Sequence, residues 1–327
     1  CCARPRASAR SRSSISPSIR LHVLIVWSLE EPERVGHTAP LSEGAWLGRG
    51  APETNETGAR LRFHATRPTP SRVETAPVWL EASRLSRQQL RFSEVGADSA
   101  LVESVGRCPL AVNGSPVMRA QVKPGDAITL RNALVLLVTQ RRQHPEPARH
   151  VDGEFEFGAA DANGLVGESP ALWSLREALA FAARSREHVL ILGESGSGKE
   201  LSARAIHAQS ARARRVMVSR NAATLPESLV DAELFGNAKN YPNPGMAERS
   251  GLLGEAHEST LFLDEIGELP PTAQSHLLRV MDQGDYQRLG EAGQRRSDFR
   301  LIAATNREPA ALKHDFAARF PLRVRLP

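Results

Sequence analysis

Cysteine is nearly missing from this 327-residue chain: only Cys1, Cys2 and Cys108 carry a thiol. Three cysteines, two of them adjacent, cannot build a disulfide framework, and they suit a reducing cytosol. Lysine is scarce as well. Four of the 42 basic residues are lysine (Lys123, Lys199, Lys239, Lys313) and the rest are arginine. Long apolar runs are absent, and the stretch 21–27 is too short to span a bilayer. No small-residue cleavage site follows it before Glu30-Glu31-Pro32-Glu33, so neither a secretory leader nor a membrane partner is expected. The chain starts at Cys1 rather than Met, which suggests a fragment or an over-extended reading frame.

The formal charge of +5 hints at nucleic acid, but its distribution removes the hint. Residues 1–20 hold Arg4, Arg6, Arg10, Arg12 and Arg20 and no acid, so they account for the whole excess. The remainder is balanced, and the arginine bias reflects codon composition rather than phosphate recognition. A nucleic-acid-binding protein in its own right would need a basic patch or a helix-turn-helix, and neither is legible.

Organisation follows from composition and period. Residues 1–20, rich in Ser, Arg and Pro, are expected to be disordered. Over 21–141 the pattern is all β. Short β-prone runs at 21–27, 78–80, 90–92 and 134–138 are separated by turn signals such as Asn113-Gly114 and Pro124-Gly125-Asp126. An antiparallel sandwich is expected there. Residues 142–161 look like a polar linker. After 162 the rhythm changes: Ser169-Pro170 reads as a helix cap and first turn, with Leu172, Leu175, Leu179 and Ala182 on one face. Strands are expected at 189–192, 216–218, 261–263 and 301–304 with helices between, which makes an α/β domain with a largely parallel sheet over 162–327.

The chemistry concentrates at Gly193-Glu194-Ser195-Gly196-Ser197-Gly198-Lys199-Glu200, directly after an apolar strand. The glycines let backbone N–H groups turn onto a phosphate, the following helix adds its positive end, and Lys199 reaches the β- and γ-phosphates. Nucleotide hydrolysis also needs a metal-holding carboxylate and a group that orients water. An apolar strand ending in Asp264-Glu265 offers both: Asp264 for Mg²⁺, Glu265 for the attacking water.

These motifs, with Glu233-Leu-Phe-Gly236, Leu277-Leu-Arg-Val280, Arg288-Leu-Gly290 and Ala303-Ala-Thr-Asn306, resemble the AAA+ domain of the sigma-54-dependent transcriptional activators. The resemblance covers 162–327 and accounts for Glu200 where a generic phosphate loop has Ser or Thr. It implies an ATPase using ATP and Mg²⁺ that assembles into a ring, a hexamer by family habit, in the cytoplasm. It implies that Asn221 switches the catalytic glutamate, that Asn306 senses the γ-phosphate, and that arginine fingers act in trans from the neighbouring subunit. Arg319 matches one finger, while the other position carries Lys313, a point charge without the bidentate fork.

Two departures bear on partners. The family contacts sigma-54 factor, and through it RNA polymerase, with Gly-Ala-Phe-Thr-Gly-Ala on a mobile loop. This chain has Asn240-Tyr-Pro-Asn-Pro-Gly245, stiffened by Pro242 and Pro244, with Tyr241 as the substitute aromatic. The family also continues into a helical lid and a helix-turn-helix, which do not follow within this sequence. DNA contact is therefore expected only through such a further domain.

Residues 21–141 resemble a forkhead-associated domain through Gly48-Arg49, Ser86-Arg87-Gln88-Gln89 and Asn113-Gly114. Such domains bind phosphothreonine peptides on loops at one end of a sandwich. Arg49, Arg87 and Ser86 have the charge and hydroxyl to hold a phosphate. Gln89 stands where the family usually has His, and Cys108-Pro109 where it often has Asn-Gly. The combined expectation is an ATP-hydrolysing transcriptional regulator with a phosphothreonine-reading input. The alternative is a nucleotide-binding adaptor or decoy that does not remodel sigma-54.

Overall fold

The computed structural model describes residues 19–52, 58–65, 67, 77–142, 150, 151 and 155–327. Most of the expected tail and half of the expected linker lie outside the described residues. The chain divides into two units, 1–147 and 148–327.

The first unit is built from β1 (Ile19–Ser28), β2 (Thr38–Pro40), β3 (Trp46–Leu47), β4 (Leu90–Ser93) and β5 (Ala100–Ser104). It continues through β6 (Leu110–Val112), β7 (Ser115–Pro116), β8 (Arg119–Val122), β9 (Ala127–Leu130) and β10 (Leu134–Arg142). They form two antiparallel sheets, ordered β2-β1-β10-β9-β6-β7 and β3-β4-β5-β8. Period-2 patterning decides which face goes inward. Leu21, Val23 and Ile25 of β1 are buried, and Val23 and Ile25 sit opposite Val138 and Leu136 of β10. Leu47, Leu90, Phe92 and Val102 from the second sheet join the same core, so the two sheets close one sandwich. Burying each of these large side chains contributes roughly 1.5–3 kcal/mol. Asn113 and Gly114 turn β6 into β7, both with positive φ (50° and 82°), as a two-residue hairpin loop demands. The run at 78–80 makes isolated bridges rather than a strand.

The second unit opens with α1 (Pro170–Arg184), β11 (Val189–Leu192), α2 (Lys199–Ala208), β12 (Val218–Asn221), α3 (Val230–Phe235) and α4 (Gly251–Glu255). It goes on with β13 (Thr260–Asp264), α5 (Pro271–Gln283), β14 (Asp285–Tyr286), β15 (Arg295–Arg296), β16 (Arg300–Thr305), α6 (His314–Ala317) and β17 (Leu322–Arg325). A parallel sheet runs β12-β13-β16-β11-β17. Its two faces feed separate cores: Leu190 and Leu192 point to one, Val189 and Ile191 to the other. Burial on both faces is why these strands read as unbroken apolar runs.

Ser169 caps α1 by accepting from the Leu172 amide at 3.1 Å, with Pro170 in the first turn. The helix buries more than its leucine stripe. Arg176 is buried, donating to Asp161 (2.7 Å) and to the Gly167 and Leu165 carbonyls (2.8 Å each), and its guanidinium lies over the Phe155 and Trp173 rings. The later part of the stretch expected as linker thus packs against α1, because Asp161 supplies the charge a buried arginine requires. The strand expected at 216–218 begins two residues later. Val216 is exposed and its carbonyl accepts from Ser259 Oγ, away from the strand ladder. The second edge strand, β17, falls beyond the last strand expected from the sequence.

Candidate functional site

Parallel register brings the carboxyl ends of the central strands to one edge. Leu192 lies beside Thr305, and Asn221 beside Asp264. Clefts for ligands form outside such strand ends. The glycine-rich loop leaves β11 here, its start fixed by the Gly193 amide donating to the Thr305 carbonyl (3.2 Å). Gly196 and Gly198 have φ of 79° and 92°, a region open to glycine at no steric cost. A Cβ on either would meet nothing within 4 Å, so open space lies beside the loop. Gly198 caps α2, whose first amides have no carbonyl one turn back to bond.

Lys199 opens that helix and is only 6% exposed. Its ammonium donates to the carbonyls of Gly193 (3.2 Å) and Glu194 (3.1 Å) and pairs with Glu265 Oε1 at 3.3 Å. Glu265 itself sits in the left-handed region (φ 49°, ψ 47°), a conformation that costs energy in a residue with a Cβ. Two contacts hold it there. Its amide donates to Asp264 Oδ1 (2.9 Å), and its Oε2 accepts from the Asn306 backbone amide (3.3 Å). The expected catalytic pair Asp264 and Glu265, the loop 193–200 and Asn306 therefore share one cleft edge.

Asn221 lies next to Asp264 in register, with its side chain turned onto its own chain: Oδ1 accepts from the Ala223 amide at 2.9 Å. Glu200 faces solvent and pairs with Arg204 one turn on (2.6 Å). Lys313 and Arg319 lie elsewhere, around α5 and α6. The Lys313 ammonium donates to Ser275 Oγ at 2.7 Å. Arg319 forms a two-pronged pair with Asp282 through Nε and Nη2 (Nη2–Oδ2 3.0 Å). Asp282 was not singled out from the sequence; it lies 37 positions from its partner and no local signal links them.

Residues 165–326 match the family described as the sigma-54 interaction domain. This segment is a sigma-54 interaction domain. It is homologous to sigma-54 activators, with 45% identity over 165 residues to the Nif-specific regulatory protein of Bradyrhizobium diazoefficiens, covering 50% of this chain and 28% of that one. The transcriptional regulatory protein ZraR of Escherichia coli K12 is 46% identical over 161 residues, 49% of this chain and 36% of its own. The matches thus span about a third of these relatives' lengths. Among solved structures, NtrX from Brucella abortus in complex with ADP is 35% identical, covering 51% of this chain and 38% of that one, with a TM-score of 0.47.

Within the sigma-54 interaction domain, 237–249 is a closed loop. Asn237, almost fully buried, donates through Nδ2 to the carbonyls of Ala238 (3.0 Å), Tyr241 (3.3 Å) and Ala247 (3.0 Å). Asn240 Oδ1 accepts from the Gly245 amide (3.0 Å), and the Asn240 amide donates to the Met246 carbonyl (2.9 Å). Tyr241 packs so closely on Gly290 that a Cβ there would lie 2.4 Å from its ring. The segment 237–249 is therefore pinned at its neck and at its tip.

In the first unit, Arg49, Ser86 and Arg87 come together where two loops touch. The Arg49 amide donates to the Ser86 carbonyl (3.0 Å), and a Cβ on Gly48 would lie 1.7 Å from the Arg87 carbonyl, so only glycine fits there. Arg60 spans the same junction, donating to the Arg49 carbonyl (3.3 Å) and the Arg87 carbonyl. Gln89 is fully buried beneath it. It accepts from the amides of Ser86 (3.3 Å) and Cys108 (3.2 Å) and donates to the Cys108 carbonyl (2.8 Å). Ser86 Oγ accepts from the Arg107 amide at 2.9 Å.

Proposed function

We propose that this protein hydrolyses ATP with the sigma-54 interaction domain and acts as a transcriptional regulator of the activator type. The observation that carries the reading is the convergence of Lys199, Asp264, Glu265 and the Asn306 amide at one end of the parallel sheet. The open space beside Gly196 and Gly198 suits triphosphate oxygens received by backbone amides. Asp264 would hold Mg²⁺, which would neutralise phosphate charge there; one or two carboxylates are the usual protein share of such a site. Lys199 binds the β- and γ-phosphates, and Glu265 orients and deprotonates the attacking water. Asn221, now turned away, supports a role as a group that engages Glu265 in another nucleotide state. Arg319 and Lys313, whose side chains bond Asp282 and Ser275 and none of the cleft residues, support action on a neighbour's nucleotide within a ring.

The first unit is read as a forkhead-associated sandwich that binds phosphothreonine through Arg49, Ser86 and Arg87. Support comes from the meeting of these residues on adjoining loops above a buried Gln89. Phosphorylation of a partner would then control assembly.

A second reading is favoured by one observation: the pinned loop 237–249. On this reading the protein binds nucleotide as an adaptor without remodelling sigma-54. Two measurements separate them. Mg²⁺-dependent phosphate release should vanish in Glu265→Gln; undiminished release would remove the assigned role. Capture of purified sigma-54 factor with a transition-state mimic should then be compared between the native loop and a graft of Gly-Ala-Phe-Thr-Gly-Ala over 240–245. Capture by the native loop supports the activator, and capture by the graft alone supports the adaptor.

A further inference from the structure

We infer that Asp282 is the positioning residue for Arg319, aiming its guanidinium at the nucleotide of a neighbouring subunit; this rests on the reading of Arg319 as a cation acting in trans.

The argument starts from the number of donors. A guanidinium carries five N–H groups in one plane, arranged as two forks. Asp282 occupies the fork made by Nε and Nη2. The second fork, formed by Nη1 and the outer hydrogen of Nη2, lies on the opposite edge. Among the described residues no other hydrogen bond engages its guanidinium, and the side chain is 45% exposed. The free edge has the spacing to meet two phosphate oxygens. A carboxylate on one fork therefore directs the other outward.

Both partners are anchored by their surroundings. Asp282 lies in the last turn of α5, ahead of Gly284, whose amide donates to the Val280 carbonyl at 2.7 Å and stops the helix in the left-handed region. Beside it, the Met281 carbonyl is bonded by His188, the residue before β11. Arg319 sits between Phe316 and Phe320, both buried and packed edge to face at 5.4 Å. Its amide donates to the Phe316 carbonyl at 3.1 Å. The backbone is fixed by two aromatic anchors and the head by one carboxylate, so a long side chain is ordered before any ligand arrives. Hydrogen bonding from Arg319 holds the Asp282 carboxyl below its ordinary range, which keeps the pair charged at neutral pH. Lys313 has no such arrangement. Its ammonium rests on a neutral hydroxyl, which imposes no plane.

The test uses the full-length protein and steady-state ATP turnover. Asp282→Ala should lower kcat about tenfold or more, since displacement of a charge-stabilising group by about 1 Å is enough for such a loss. Affinity for a fluorescent ADP analogue should be unchanged, and Asp282→Glu should recover part of the rate. The decisive arm mixes subunits. Lys199→Ala subunits hold no nucleotide but carry an intact Arg319 and Asp282, so adding them to Asp282→Ala should restore turnover at the latter's own sites. Damage confined to the Asp282→Ala subunit's own cleft would not be restored, and that result overturns the inference. So would normal kcat in Asp282→Ala while Arg319→Ala is impaired. Normal turnover in Arg319→Ala would instead remove the in-trans reading itself.

Discussion

Lys199 and Glu265 face each other across the phosphate loop as an ion pair at 3.3 Å, the lysine almost wholly buried. The ammonium proposed to receive phosphate already has a carboxylate. Nucleotide must exchange that partner, and Glu265→Gln removes the competing charge. Turnover should fall by roughly 10²-fold or more. ATP affinity should rise by roughly threefold to tenfold, which at 1.4 kcal/mol per decade is a modest electrostatic difference. Titration beside phosphate release measures both. An affinity that stays level would mean the pair does not compete with nucleotide.

Asn237 predicts a separable effect. Asn237→Ala removes the donor shared by the carbonyls of Ala238, Tyr241 and Ala247, at a cost of about 1–3 kcal/mol. Amide exchange across 238–247 should accelerate while nucleotide affinity at Lys199 stays level. Unchanged exchange would show that the Asn237 side chain does not hold the loop.

Gln89 makes a comparable demand in the first unit. Gln89→Ala leaves two amides and a carbonyl unpaired in the interior, and urea unfolding should register a loss of about 2–4 kcal/mol. Affinity for a phosphothreonine peptide should fall with it, because the Ser86 loop rests on this side chain.

A pH effect follows from His188. Burial, reinforced by the charges of Arg300 and Arg212, pushes its imidazole down from 6.5 to about 4. Its Nδ1 accepts from the Leu301 amide at 3.0 Å, which a proton would prevent. Between those two pH values the unfolded chain binds a proton that the folded chain refuses, so stability is complete above about 6.5 and declines as pH falls toward 4. The slope should reach about 1.4 kcal/mol per pH unit and flatten in His188→Gln, whose amide oxygen can still accept. Equal slopes in both proteins would place the acid sensitivity elsewhere.

Local signals were legible and long-range ones were not. The loop 193–200 between strand and helix could be read from glycine spacing after an apolar strand, and the place of Asp264-Glu265 from two acids at a strand end. Both are short motifs whose chemistry depends on adjacent residues. Asp282 could not be found this way, since its pairing with Arg319 arises when α5 and α6 pack together. Arg176 was hidden for a related reason: a charged residue on a helix reads as solvent-facing until Asp161 and two aromatic rings close over it. Gln89 reads as a polar loop residue, yet its three backbone partners make it interior. The edge strands were the weakest expectation. At an edge one ladder is missing, so the 216–218 run joins the sheet only from Val218, with Val216 exposed, and β17 gave too short a pattern to read.

The contact from residue 306 to Glu265 is made by the backbone amide, not by the asparagine side chain. Exchanging Asn306 for almost any other residue leaves that donor in place. A conventional scan at this position would therefore report only on the side chain, and a mild phenotype there would conceal a tether that every residue except proline is able to supply.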